Sequence, residues 1–434
     1  MRIHRLNNGL RVVIETIPAV RSVSLGIWVK NGSRNESPDN NGISHFIEHM
    51  LFKGTEKYSA KDIANIFDAI GGNVNAYTAK EYTCYYAKVL DEHLAIAAEV
   101  LADMFFHSIF DEEELNKEKN VIIEEIAMYE DAPDDMVHDL IYEASFGEHS
   151  LAYPIIGTKK NLQRMDSAEL KAYMRNNYFV ENTVISIAGN VDERVLELLE
   201  KHFGSFFSHG SQDAVSKPNF VGGQKFHHKK TEQNHICLAF PGCALDDDRL
   251  FAMTILNSVI GGGMSSRLFQ EIREKKGLAY SVYSYHSAYR DSGLLNIYIG
   301  TAPKQTSEVL NITLEELGKI VENGISEEEL KRAKEQLKGS LILSLESTNS
   351  RMNRNGKNEL MLGKHYTLDE TIDLIDRVTN DDIKELTGRF RSVSFALAIT
   401  SSSLAKEMSG ATGPNVSSRQ IAIEPSTWLS TVGS

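Results

Sequence analysis

FDEEELNKEKNVIIEEI at residues 110–126 and ISEEELKRAKEQLKGSL at residues 325–341 are two versions of one helical run. A second pair extends the match. MDSAELKAYMRNNYFVENTVISIAG (165–189) and VTNDDIKELTGRFRSVSFALAIT (378–400) agree in order and residue type. A repeat this long, occurring twice, implies two homologous domains rather than a solenoid. Working outward from these runs, each half reads as strands, then helices, then strands. In the first half, LRVVIE (10–15), VSLGIWV (23–29), NVNAYTAKEYTCYYAKV (73–89) and VISIAG (184–189) have strand character. Helical patterns occupy 60–70, 91–107, 111–130, 132–146 and 167–176. In the second half HICLAFPG (235–242) echoes 23–29, and SVYSYHSAYRDSGLLNIYIGT (281–301) supplies the alternating strands. The prediction is an α+β fold of two homologous domains, each a largely antiparallel sheet with helices packed on one face. The boundaries read 1–210 for the first domain, 211–230 for a Ser/Gly/Lys/His-rich linker and 231–405 for the second domain. Residues 406–434 form a tail without periodicity, read as disordered.

Composition narrows the function. A hydrophobic fraction of 41% with 24% charged residues fits an ordinary globular chain. The net charge of −14 argues against a nucleic-acid partner, because phosphate binders carry a basic face. It favours cationic ligands such as Lys/Arg-rich peptides, and serves solubility equally well. Cys84, Cys237 and Cys243 form no CxxC pair, and so sparse and odd a count fits a reducing compartment. No apolar run is long enough to span a bilayer. The opening MRIHRLNNGLRVVIE reads as turn and strand rather than a signal peptide, so a cytoplasmic location is expected.

The chemistry is concentrated in His45-Phe46-Ile47-Glu48-His49. A helix starting near Ser44 puts Ile43, Ile47, Met50 and Leu51 on one face and His45, Glu48, His49 and Phe52 on another. Two histidines at i and i+4 can grip one metal ion, and zinc suits two imidazoles plus a carboxylate with an open position. Glu48 is poorly placed as a ligand and well placed as a general base. The order reverses HExxH and gives the inverted zinc-peptidase motif, HxxEH. The run at 111–130 offers Glu118 and Glu125 for the third ligand, seven apart on one helical face beside Val121 and Ile122. A helix face that also packs apolar residues buries at least one of these carboxylates, which then needs a partner. Spacing alone does not choose between Glu124 and Glu125.

HFIEH followed by this glutamate pair resembles the pitrilysin/insulinase family of inverted-motif zinc peptidases, which includes the mitochondrial processing peptidases and their bacterial relatives. NGISHFIEHMLFKGT (41–55), GGNVNAYTAKEYT (71–83) and VIIEEIAMYEDAPDD (121–135) are similar to the bacterial processing-peptidase members, and the resemblance runs to about residue 400. It implies a zinc metalloendopeptidase with one zinc per chain, held by His45, His49 and Glu125. It implies Glu48 as base and Glu118 as a supporting residue that orients a ligating histidine. It also implies that the strand NVNAYT is a substrate-binding edge, with Asn75 and Ala76 facing the scissile bond.

In GGGMSSRLFQEIREKKGLAY (261–280) the resemblance implies that Arg273 and Tyr280 anchor the substrate backbone and stabilise the oxyanion, as donors aimed at developing charge do. By residue type alone, the commoner fate of Arg273 is a surface ion pair with Glu271 or Glu274. The second half has no HxxEH, and Ser340 stands where the first half has Glu125, so it is expected to clamp substrate rather than to bind metal. Family logic implies a homodimer enclosing a chamber for peptides or unfolded segments, with Arg273 and Tyr280 of one subunit serving the zinc of the other. A heterodimer with a paralogue stays open. So does a non-catalytic scaffold role, although scaffold members tend to lose the ligands that this chain keeps.

Overall fold

The computed structural model describes residues 1–206, 210, 215–392 and 395–401. The 406–434 tail, residues 211–214 and the last residues of the 231–405 segment therefore lie outside the described residues. Eleven strands of the described chain form two sheets. In the first, the strands are β1 (Arg2–Arg5), β2 (Arg11–Thr16), β3 (Ser22–Val29), β4 (Asn73–Thr78), β5 (Thr83–Leu90) and β6 (Thr183–Gly189). Their order is β1-β2-β6-β3-β5-β4. Only β2 and β6 run parallel. In the second sheet the strands are β7 (Gln224–His228), β8 (Asn234–Pro241), β9 (Ala279–Ala288), β10 (Gly293–Thr301) and β11 (Ala396–Ser401), in the order β7-β11-β8-β10-β9. Here only β7 and β11 run parallel. Strand for strand, the second sheet repeats the first without β1.

The repeat expected from the helical runs is thus written in the strand pairing as well. Both hairpins, β4–β5 and β9–β10, close through the same kind of turn. Ala79 N–H donates to the Tyr82 carbonyl in one and Tyr289 N–H to the Ser292 carbonyl in the other, each at 2.8 Å. All nine residues of β10 and all seven of β6 are buried, as strands in mid-sheet require. Strand β7 departs from the sequence reading, because it falls inside the expected linker. QKFHH has exposed polar positions because it is an outer strand with one neighbour, so its composition imitates a loop.

Helices on the first half are α1 (Ile43–Met50), α2 (Ala60–Ala69), α3 (Leu94–His107), α4 (Glu112–Asp131) and α5 (Pro133–Phe146), then α6 (Lys159–Arg164), α7 (Ser167–Asn177) and α8 (Arg194–Phe203). The second half carries α9 (Leu250–Ile260), α10 (Thr306–Asn323), α11 (Glu327–Ser344), α12 (Thr348–Met361), α13 (Leu368–Arg377) and α14 (Asn380–Gly388). The first core joins inward residues of its sheet, among them Leu25, Ile27, Val29 and Ile187, to Ile43, Ile47 and Met50 of α1, Leu101 and Phe105 of α3, and Ile122 of α4.

The chain divides into two compact units that are not contiguous in sequence. The first unit comprises Met1–Ala127, Tyr153–Ser216 and Leu341–His365. The second comprises Met128–Ala152, Lys217–Ser340 and the chain from Tyr366. This differs from the contiguous 1–210 and 231–405 division. The reason is a reciprocal exchange of helices: α12 packs on β3 and β6 in the first unit, while α5 packs on β8 and β11 in the second.

The approach of α12 to β3 is close because both sides lack bulk. A Cβ on Gly356 would lie 2.3 Å from the Trp28 indole nitrogen, and one on Gly26 would lie 2.4 Å from the Met352 sulfur. Trp28 donates its indole N–H to Met352 Sδ at 3.4 Å, and Ser186 donates its hydroxyl to the Met352 carbonyl at 2.8 Å. Gly356→Ala therefore meets an opposed pair of effects. Helix propensity gains about 1 kcal/mol, whereas overpacking a buried ring costs about 1–3 kcal/mol. Sterics win at 2.3 Å, so the denaturation midpoint of Gly356→Ala should fall. A midpoint raised by the propensity gain would show that helix and strand are not in contact here.

Candidate metal centre

Helix α1 owes its position to its apolar residues and to one carboxylate. Ile43, Phe46, Ile47 and Met50 are fully buried, which leaves His45, Glu48 and His49 on the half-buried face. The helix begins at Gly42, whose φ of 100° is left-handed and suits glycine. A Cβ there would also meet Gly157 Cα at 2.8 Å. The orphan N–H groups of the first turn are capped by Glu36, which accepts from Gly42 N–H at 2.8 Å, Ser44 N–H at 2.9 Å and the Asn41 amide at 2.8 Å. Burial pushes the Glu36 carboxyl up, and these hydrogen bonds oppose it. Sequence reasoning missed Glu36 because a cap supplied from six residues upstream has no local signature.

Helix α4 crosses beside α1. Leu115, Glu118, Ile122 and Ile126 form its buried stripe. Val121, read from sequence as packing on that side, is 51% exposed. The same rotation exposes Glu124 and turns the half-buried Glu125 toward the two histidines. His45, His49 and Glu125 each offer one ligand atom, and the three atoms lie within 4.8 Å of one another. The two imidazole Nε2 atoms are 3.2 Å apart. Glu125 Oε2 is 3.8 Å from His45 Nε2 and 3.7 Å from His49 Nε2.

This donor set fits zinc. A tetrahedral ion with bonds of about 2.1 Å holds its ligand atoms about 3.4 Å apart, close to the spacings found. The electrostatics agree. Glu118 Oε1 lies 2.8 Å from His49 Nδ1, a partner that keeps the proton on Nδ1 and the Nε2 lone pair free. Burial, joined by the neighbouring His49, pushes the His45 pKa down to about 3, so this ring is neutral near pH 7. Two imidazole nitrogens and a carboxylate oxygen that converge this closely suit a shared cation. Among the described residues this is the one group of His, Cys, Asp and Glu side chains with such geometry.

Two supporting contacts complete the centre. Lys53, one turn beyond His49, donates to Glu118 Oε2 at 2.6 Å. Burial raises the Glu118 carboxyl, but the bonds from His49 and Lys53 outweigh it and leave Glu118 below the ordinary value. Glu48 Oε2 accepts from the Thr78 hydroxyl at 2.5 Å. Burial raises the Glu48 carboxyl above the ordinary range, opposed by Thr78 and His49. Neither Lys53 nor Thr78 was singled out from sequence. The period of α1 carried one turn past His49 offered Lys53, whereas nothing local offered Thr78.

The other expected residues fall in two places. Asn75 and Ala76 lie on β4, the outer strand of the first sheet, which pairs with β5 alone. The Ala76 N–H is taken up by Asn75 Oδ1 at 2.8 Å. Arg273 and Tyr280 belong to the second unit and touch each other, with the guanidinium 4.8 Å from the Tyr280 ring centre and 4.7 Å from that of Phe269. The ion pair expected with Glu274 is loose, at 3.8 Å. Tyr280 is 75% exposed. Ser340 lies on α11, the counterpart of α4.

Known proteins resemble this chain in sequence and fold. The family described as Insulinase (Peptidase family M16) matches residues 11–159, and that described as Peptidase M16 inactive domain matches residues 164–337. A Bacillus subtilis protein named an uncharacterised zinc protease is 54% identical over 396 residues, covering 91% of this chain and 97% of its own. A Streptomyces coelicolor protein named in the same way is 44% identical over 404 residues, covering 90% and 88%. A solved structure described as a peptidase M16 inactive domain from Pseudomonas fluorescens superposes with a TM-score of 0.85 at 19% identity, over 96% of this chain and 99% of that one.

Proposed function

The chain belongs to the M16 (insulinase) family of peptidases and is a zinc-dependent protease, and from that premise we propose that it is an endopeptidase with Glu48 as its general base. The observation that carries this reading is the convergence of His45, His49 and Glu125, with the half-buried Glu48 beside them and outside that cluster. When bound, zinc supplies Lewis acidity toward a water molecule and the scissile carbonyl. Glu48 takes the proton as that water attacks the carbonyl carbon, and passes it to the departing amine. A carboxyl raised by burial suits both transfers, because its proton affinity lies nearer to working pH. Glu118 holds the His49 ring in register through Nδ1.

An extended peptide adds to the free edge of β4 at Asn75 and Ala76, main chain to main chain. To pair there it displaces the Asn75 side chain from the Ala76 N–H. Arg273 and Tyr280, supplied by a second copy of the chain, donate to the oxyanion. The two copies enclose a chamber that admits peptides and unfolded segments, basic ones favoured by the net charge of −14. We place the protein in the cytoplasm as a processing-type peptidase. Among the described residues no helix is long and apolar enough to cross a membrane.

Metal analysis of the purified protein should find one zinc per chain. Cleavage of a quenched basic peptide should cease in chelator and return with added zinc, and hydrolysis that survives complete metal removal would sink the reading. The shared-site arrangement has its own test. Mixed subunits of Glu48→Gln and Arg273→Ala, each inactive alone, should recover part of the wild-type rate. No recovery despite proven subunit exchange removes the cross-subunit role.

A further inference from the structure

We propose that Thr78 is a positioning residue for the hydrolytic step: it pins one oxygen of Glu48, leaves the other to the reacting water, and ties the base to the strand that receives the substrate. The proposal rests on the reading of Glu48 as general base.

The observation is one short bond at one place in the fold. The Thr78 hydroxyl donates to Glu48 Oε2 at 2.5 Å, within the range of a charge-assisted O–H···O⁻ bond. The Thr78 main-chain N–H bonds the same side chain. Thr78 is the last residue of β4, opposite Thr83 of β5. Alternation along β4 places Val74, Ala76 and Thr78 on the face that packs with α1 and the first core, while Tyr77 turns to the other face against Trp28. So the strand geometry, rather than a flexible loop, aims the hydroxyl at the base.

The choice of residue fits this task. A glutamate has three side-chain torsions, and a base must hold its reactive oxygen within a fraction of an ångström. Threonine is β-branched and stiff at χ1, so its hydroxyl direction is set by the backbone that carries it. The hydroxyl bond to Oε2, with the main-chain N–H on the same carboxylate, restrains the carboxylate plane. Since β4 is the outer strand, a peptide that pairs with it immobilises the residue that aims the base. Substrate docking and base alignment are then one event.

The test compares Thr78→Val, Thr78→Ser and Glu48→Gln in the full-length zinc-loaded protein. Thr78→Val keeps shape and loses the donor. It should keep one zinc per chain and an unchanged KM while kcat falls about 10- to 100-fold, the usual loss when a supporting partner is removed. Thr78→Ser restores the donor and should recover most of kcat. Should Thr78→Val fail to fold, Thr78→Cys, a poorer donor of similar size, takes its place with the same expectation. Wild-type kcat in the donor-less variant overturns the proposal, as does failure of serine to rescue, or a loss of zinc in step with kcat. Failure of the underlying reading looks different: Glu48→Gln would then turn over normally with zinc bound.

Discussion

Replacing Glu48 with glutamine is expected to lower kcat by about a hundredfold to ten-thousandfold, the span that a general base contributes, while one zinc per chain remains bound. The side chain keeps its length and can still accept from Thr78 through its amide oxygen. What it loses is the ability to take a proton. Glu48 also lies outside the His45, His49 and Glu125 cluster, so no ligand is removed. Stability should rise slightly in the metal-free protein, because burial opposes the charged form of Glu48 and glutamine has no charge to bury. Paired measurements of zinc content and single-turnover cleavage decide the matter. Normal turnover in Glu48→Gln removes the base assignment, whereas loss of zinc would make Glu48 a ligand.

The second large effect concerns the cluster itself. His49→Ala is expected to abolish stoichiometric zinc binding and with it all measurable cleavage, because it removes one of the three donor atoms that the cluster offers. It also strands Glu118, which would keep Lys53 as a partner and lose the imidazole. Glu125→Ala should behave similarly. Glu118→Gln should be milder, weakening zinc about 10- to 100-fold as supporting residues do, with activity restored by excess zinc. Titration of each variant with zinc against a competing chelator gives the order directly. If Glu118→Gln and Glu125→Ala lose metal equally, the division into ligand and supporter is mistaken.

The metal helix was legible in the sequence because its information is local. His45 and His49 are one turn apart, and the apolar residues Ile43, Ile47, Met50 and Leu51 say which side is buried; all four are. The repeat was legible because the two halves keep the same order of elements. Glu125 was not separable from Glu124 by spacing, since the rotation of α4 is set by the burial of Leu115, Ile122 and Ile126 against a distant sheet. Strand β7 was missed because an outer strand need not be apolar. Helix α12 was missed outright: NSRMNRNGKNEL is polar, and it packs through Met352, Gly356 and small hydroxyl side chains rather than a hydrophobic stripe. Glu36 and Thr78 act across long sequence separations, so no window of neighbouring residues contains the signal.

The exchange of α5 and α12 between the units bears on the protein's birth. The sheet that backs the metal helix has its central strands in place once residue 189 is made, yet the helix that closes over Ser24, Gly26, Trp28 and Ser186 begins only at Thr348. At roughly 5–20 residues per second, ribosomes leave that face bare for roughly 8–30 seconds. The unit that holds the His45, His49 and Glu125 cluster is therefore incomplete until residue 365 is made, and a ribosome that stalls midway releases a fragment in which that unit is unfinished.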